Sequence, residues 1–135
     1  MIETRTALID SNVVIDIIGE DASWQNWSMG ALMACEAPIV SPIIFAELCY
    51  LKSSHSAVEK VLDDLGIGYE ELPKSALFLA AHAYKTYRSR GGSRTSPLPD
   101  FFIGGHAASE GIPIVTRDAA YYQTYFPTVE LICPK

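Results

Sequence analysis

The sequence predicts an α/β fold in which a parallel sheet of about five strands is covered on both faces by helices. Three observations predict it. Short runs rich in β-branched residues alternate with longer stretches of helical periodicity. Parallel strands need a crossover between them, and the crossover is usually a helix. Finally, 135 residues with 49% hydrophobic and 19% charged side chains make one ordinary globular domain, residues 1–135.

The elements follow in order. Ala7 to Asp10 forms a first strand, and Val13 to Ile18 starts a helix. Ala22 to Cys35 reads as a second helix, with Trp24, Trp27, Ala31 and Leu32 on its apolar side. After a second strand at Ile39-Val40, Pro42 to Leu51 and Ser54 to Leu65 form an αα-hairpin broken at Ser53-Ser54. Gly68 to Leu72 is a third strand, Lys74 to Arg88 a long helix, and Pro97 to Glu110 another helix that Gly111 closes as a C-cap. The Gly-, Ser- and Pro-rich stretch from Ser89 to Pro99 is the loop between those two helices. Ile112 to Thr116 is the fourth strand, Ala119 to Tyr125 a short helix, and Val129 to Ile132 the fifth strand. In open sheets of this kind, ligands collect beyond the carboxyl ends of the strands where the strand order reverses.

Composition excludes several classes. Apolar runs stay far below the ~20 residues needed to span a bilayer, so no membrane partner is expected. The Met1-Ile2-Glu3-Thr4-Arg5 start is unlike a secretory signal, which points to the cytoplasm. Cys35, Cys49 and Cys133 are odd in number and widely spaced, which disfavours a disulfide framework or a zinc knuckle; they read as reduced core residues. The net charge of −6 argues against nucleic-acid binding by bulk electrostatics. Its distribution says more. Between Leu72 and Pro99 there is no acid, yet Lys74, Lys85, Arg88, Arg90 and Arg94 fall there, a basic segment on an otherwise acidic chain.

Four carboxylates occupy stations that chemistry would use. Asp10 ends the first strand just before Ser11 and Asn12, either of which would serve as a plain N-cap with Asp10 a turn acid. Glu47 lies in Pro42-Ile43-Ile44-Phe45-Ala46-Glu47-Leu48-Cys49-Tyr50-Leu51, a helix so apolar that much of it must be buried. A buried unpaired carboxylate costs several kcal/mol unless it is protonated, paired or metal-bound; a single solvent stripe is the alternative. Asp100 stands in the first turns of a helix opened by Ser96-Pro97, where the positive end of the dipole favours an acid. Gly104 and Gly105 in the same helix imply close packing. Asp118 follows the fourth strand at the station Asp10 holds on the first. If those strands are neighbours across the switch point, the acids face each other and repel unless a divalent cation neutralises them. Hard oxygen ligands without paired Cys or His fit Mg²⁺ or Mn²⁺ better than zinc. His55, His82 and His106 show no ligand spacing, and Asp16 reads as a surface helix position or an accessory acid.

The motifs Leu8-Ile9-Asp10-Ser11-Asn12, Phe45-Ala46-Glu47-Leu48, Pro99-Asp100-Phe101-Phe102-Ile103 and Val115-Thr116-Arg117-Asp118, in this order over nearly the whole chain, resemble the PIN-domain family. The likeness is greatest to its small single-domain VapC-like toxin branch. The resemblance implies a three-layer αβα sandwich and a Mg²⁺- or Mn²⁺-dependent endoribonuclease. It implies Asp10, Glu47, Asp100 and Asp118 as the acids that hold metal and carry catalysis, with Asn12 and Thr116 as their polar supports. Arg88, Arg90, Arg94 and Arg117 are then the candidate RNA contacts. It further implies a homodimer and a small antitoxin whose C-terminal segment sends an Arg or Lys into the acid pocket. The aromatic pairs Tyr121-Tyr122 and Tyr125-Phe126 depart from the family pattern; they either stack on bases or dock in the core. Competing readings are an RNA-processing nuclease without a toxin role, a non-catalytic interaction module of the same fold, and a phosphate receiver or haloacid-dehalogenase-like phosphatase. The phosphatase needs an Asp where Asn12 stands.

Overall fold

The computed structural model describes residues 5–19, 22–92 and 98–135; the expectations for Arg94 and for the Ser96-Pro97 helix start lie outside these residues. Strands β1 (Thr6–Ile9), β2 (Ala37–Val40), β3 (Gly68–Tyr69), β4 (Ile114–Val115) and β5 (Leu131–Ile132) form one sheet in the spatial order β3-β2-β1-β4-β5. All pairs are parallel, and Leu8 stands between Ile39 on one side and Ile114 on the other. A central parallel strand is buried on both faces, which is why β1 is apolar at Ala7, Leu8 and Ile9 without alternation.

The helices are α1 (Ser11–Ile18), α2 (Gln25–Met33), α3 (Pro42–Cys49), α4 (His55–Asp64), α5 (Lys74–Ser89), α6 (Leu98–Glu110) and α7 (Ala120–Tyr125). The chain steps outward from β1 to β3 through α1 to α4, then returns past β1 to β4 and β5 through α5 to α7. Right-handed crossovers therefore put the first four helices on one face and the last three on the other. Packing agrees: α1 touches α2 and α3, and α3 touches α4, while α5 packs on α6 and α6 on α7; α3 also meets α6 between the layers. The result is the three-layer αβα sandwich. The reversal of direction falls between β1 and β4, so Asp10 and Thr116 end neighbouring strands at the switch point.

Several boundaries differ from the sequence expectation for local reasons. Helix α1 starts at Ser11 because Asp10 is itself the N-cap, its carboxylate accepting the Ser11 N–H at 2.8 Å. Helix α2 is shorter than Ala22 to Cys35, because Trp24 precedes it in non-helical backbone without a side-chain cap. Strand β4 pairs over two residues, yet its hydrogen bonds run on at both ends, from Leu8 N to Pro113 O and from Thr116 N to Ile132 O. At the other edge Pro73 follows β3 and opens α5.

Under α6 the two glycines are explained by contact. A Cβ on Gly105 would lie 2.5 Å from the Ala76 carbonyl oxygen of α5, and one on Gly104 would meet the Phe126 ring at 2.3 Å. Phe101, Tyr87, Tyr121, Tyr125 and Phe126 form an aromatic cluster beside them, so the helix after β4 docks its rings in the core. Gly111 closes α6 at φ +66°. The three cysteines are half-buried and not disulfide-bonded.

Candidate active site

Asp10 sits at the carboxyl end of β1, 5% exposed, and three donors serve its side chain. Oδ1 takes the Ser11 N–H; Oδ2 takes the Thr116 hydroxyl at 2.8 Å and the Tyr122 hydroxyl at 3.1 Å. Thr116 in turn accepts from Asn12 Nδ2 at 3.2 Å and from the Asp118 N–H at 3.1 Å. The Thr116 hydroxyl thus joins Asn12, the Asp10 carboxylate and the Asp118 backbone. Burial raises the Asp10 carboxyl pKa above the ordinary aspartate value; these hydrogen bonds oppose the rise and the Asp118 charge adds to it.

The other acids close around this anchor. Ser41 caps α3 through its hydroxyl, Pro42 follows in the first turn, and the helix carries Glu47 to the same end of the sheet. Glu47 is half-buried, and its Oε1 is buried with no hydrogen-bond partner among the described residues. Burial first, then the Asp10 charge, pushes its pKa up, while the Ser11 hydroxyl pulls the other way. Asp100 lies in the first turn of α6. Burial and the charges of Asp10, Glu47 and Asp118 drive its pKa to about 7, opposed by a long contact of 3.5 Å from the Tyr122 hydroxyl. Asp118 is exposed on the turn after β4. The structure therefore brings all four acids within electrostatic reach at the switch point.

The remaining candidates are placed differently. Arg117 is engaged within the fold: its Nε and Nη2 donate to Asp16 at 2.5 and 2.9 Å, and its guanidinium lies 5.0 Å from the Trp24 ring centroid. It faces α1 and α2, which disfavours it as an RNA contact. Asp16 is not on the surface; it is 2% exposed and also accepts from the Ser28 hydroxyl at 2.7 Å. Arg88 and Arg90 lie at the C-terminal end of α5, Arg90 exposed with its guanidinium 5.7 Å from the Tyr125 ring centroid. Sequence reasoning missed Tyr122 as a site residue. Its ring is core, as an aromatic in an amphipathic helix suggests, but its hydroxyl links Asp10 to Asp100. No local pattern signals that.

The donor set fits a hard divalent cation. Among the described residues no three Asp, Glu, His or Cys side chains close into a ready-made cage. Yet the groups that converge are all carboxylates, one oxygen of Glu47 is buried without a partner among the described residues, and the Asp100 pKa is raised to about 7 by burial and by the negative charges around it. Each feature is a deficit of positive charge that a cation bound by oxygens would remove.

Residues 7–127 match the PIN domain family. No curated protein sequence matches the chain. Among solved structures, VapBC2 from Rickettsia felis bound to a DNA fragment from its promoter aligns at a TM-score of 0.72 and 16% identity, over 95% of this chain and 98% of that one. DNA-bound VapBC from Salmonella typhimurium gives 0.71 at 18% identity, over 96% and 98%. VapBC-5 from Mycobacterium tuberculosis, a member of a family of toxin-antitoxin systems, gives 0.63 at 19% identity, over 96% and 98%. At these identities the structures share the fold. The family match covers far more than half of the sequence and includes all four acids: the chain belongs to the PIN domain family.

Proposed function

We propose that this protein is a divalent-metal-dependent endoribonuclease that hydrolyses RNA phosphodiesters, and that it is the toxin of a toxin-antitoxin pair. The observation that carries the reading is the acidic pocket itself: four carboxylates at the switch point, with Glu47 Oε1 buried and unpartnered among the described residues and the Asp100 pKa raised to about 7. Asp10, Glu47, Asp100 and Asp118 would hold Mg²⁺ or Mn²⁺. When bound, such an ion activates a water for in-line attack and neutralises charge on the leaving oxygen. The chain's own part is positioning. Thr116, Tyr122 and the Ser11 N–H fix the Asp10 carboxylate, and Asn12 fixes Thr116. Arg88 and Arg90 supply positive charge from the end of α5, where an RNA backbone would lie.

The toxin assignment draws on the solved structures, which are VapBC complexes. It also draws on a groove of about 510 Å³ lined by Ser11, Ile15, Ala46, Glu47, Tyr50 and Leu51. Tyr50 is 90% exposed there, and the groove runs up to Glu47. An antitoxin segment laid in it would bring an Arg or Lys to the carboxylates and supply the missing charge without touching RNA. On the opposite layer, α5 leaves the consecutive apolar residues Leu77, Phe78 and Leu79 exposed, which supports a homodimer. No helix among the described residues is long and apolar enough to cross a membrane, in keeping with action on RNA in the cytoplasm.

Cleavage of RNA by the purified protein tests the proposal. Activity is expected only with Mg²⁺ or Mn²⁺ and disappears with chelator. Chelator-resistant cleavage rejects the metal mechanism, and a protein that binds Mn²⁺ without cutting any RNA points to the interaction-module reading. Inhibition by a partner peptide that survives loss of every basic residue rejects charge replacement, and a monomer at micromolar concentration rejects the dimer. Activity with no inhibitory partner encoded beside the gene favours RNA processing.

A further inference from the structure

Asp16 and Arg117 belong neither to the core nor to the acidic pocket, and their geometry gives them a common task. Helix α1 meets the turn after β4 at successive points. Asp10 caps the helix and accepts from Thr116; Asn12 donates to Thr116 through Nδ2 and accepts the Arg117 N–H through Oδ1 at 3.1 Å. One helical turn beyond Asn12, on the same face, Asp16 takes both forks of the Arg117 guanidinium. Ser28 of α2 fixes the Asp16 carboxylate from behind, and the Trp24 ring covers the guanidinium. Arg117 is thus held to α1 by its backbone at one turn and by its side chain at the next.

This residue is flanked by Thr116, which orients Asp10, and by Asp118, which is exposed and whose carboxylate accepts only a long contact from the Ala120 N–H, at 3.5 Å, among the described residues. The Asp118 N–H depends on the Thr116 hydroxyl, so a rotation of the turn would move both groups together. A bidentate Arg–carboxylate pair resists such rotation better than a single contact because two parallel hydrogen bonds fix a plane. We infer that Asp16 and Arg117 are a positioning pair that locks the turn at residues 116–118 onto α1 and thereby sets the separation of Asp118 from Asp10. The inference rests on the metal-site reading only for its consequence at the cation; the lock itself belongs to the metal-free protein.

The test replaces the pair by apolar side chains of similar length, Asp16→Leu with Arg117→Met, because such an exchange often preserves stability where breaking one partner does not. Amide hydrogen exchange in the metal-free protein is read at three neighbouring positions, corrected for intrinsic rates. The Arg117 and Asp118 amides, which depend on the turn, are expected to exchange at least about tenfold faster. The Thr116 amide, bonded to Ile132 O within the sheet, is expected to stay as in the wild type. Calorimetric titration with Mn²⁺ is expected to show affinity lowered about 10–100-fold, the range for losing an outer-shell support. Wild-type exchange at Arg117 and Asp118 overturns the inference, as does equal acceleration at all three amides, which marks general loosening. A wild-type protein that binds no Mn²⁺ overturns the metal reading while the exchange data still judge the lock. Should the double variant fail to fold, Asp16→Asn and Arg117→Lys, which keep size or charge, carry the same readouts.

Discussion

The two sides of the acidic pocket are built on opposite terms. On the β1–β4 side, Asp10 is buried but receives a backbone N–H and two hydroxyls, and its main supporting hydroxyl is itself held by Asn12. On the α3–α6 side, among the described residues, one buried oxygen of Glu47 has no partner while the Ser11 hydroxyl serves the carboxyl, and Asp100 has one contact at 3.5 Å. Burial acts on all three carboxyls. What separates the two sides is hydrogen bonding, which stabilises the ionised form at Asp10 and scarcely does so at Glu47 or Asp100. The difference teaches a division of labour: one side is a pre-set anchor and the other a charge-deficient wall that, on the proposed function, a cation or a partner's basic side chain would complete.

The anchor is the part whose loss should hurt function most. Asp10→Asn is expected to lower RNA cleavage by more than about 100-fold, since losing only an outer-shell support of a metal site costs 10–100-fold. Asn caps a helix as well as Asp does, and removing one of several like charges relieves repulsion. The metal-free variant should therefore melt no lower than wild type by circular dichroism. Full activity in Asp10→Asn would remove Asp10 from the chemistry.

The wall should show the reverse balance, a gain in stability from losing its charge. For Asp100 the folded pKa of about 7 lies above the ordinary value of 3.8, so the folded state holds a proton that the unfolded chain releases. Its contribution is fully present below pH 3.8 and is lost as pH rises through about 7. Asp100→Asn should then match wild type near pH 4 and melt higher above pH 7 in metal-free buffer. A gain of roughly 3–8 °C is the size of about 1–2 kcal/mol in a domain of this length. Mn²⁺ should narrow the gap by stabilising wild type more than the variant. A gap independent of pH would mean that the folded Asp100 carboxyl is not raised above its ordinary value.

This asymmetry was only half legible in the sequence. Asp10 and Asp118 are visible because each follows a short apolar strand, and Glu47 because an acid in so apolar a helix needs a reason. The αβα alternation follows from the same periodicities. What no local pattern carries is pairing across the chain. Tyr122 meets Asp10 over 112 residues of separation, and Arg117 meets Asp16 over 101. From the sequence Asp16 reads as a surface helix position or an accessory acid, because α1 shows its sequence neighbours and not α2, whose Ser28 hydroxyl reaches it in the buried interior. The cap of α1 was assigned one or two residues late for a related reason: Asp10 serves strand end, helix cap and site at once, and adjacent Ser and Asn are equally good caps.

Tyr122 joins the two sides, so it measures how far the anchor supports the wall. Tyr122→Phe keeps the buried ring and removes only the hydroxyl shared by Asp10 and Asp100. The expected cost in stability is about 1 kcal/mol. Cleavage should fall about tenfold, at the low end of the outer-shell range, because Thr116 and the Ser11 N–H still hold Asp10. A drop as large as that of Asp10→Asn would show that the hydroxyl acts on substrate and not through the carboxylates.

The smallest effect comes from outside the pocket and sharpens the pH argument. His106 on α6 is 1% exposed, with Nδ1 buried and unpartnered among the described residues. Burial lowers its pKa below 6.5, while Glu110 and Glu70 pull weakly upward. A lowered basic pKa means that the unfolded chain binds the proton first. The neutral ring therefore contributes stability above pH 6.5 that is lost as pH falls through the folded value. The sign is opposite to that of Asp100, so between pH 4 and 7 the two groups tilt the stability curve in contrary directions. Following the His106 ring by proton NMR should give a midpoint below 6.5. His106→Leu should flatten the acid side of the melting curve by no more than a few degrees, leaving the Asp100 slope exposed. A midpoint at or above 6.5 would remove His106 as a source of acid-side loss and leave the wall carboxyls, whose raised pKa values favour the fold as pH falls, with no opposing slope from the interior of α6.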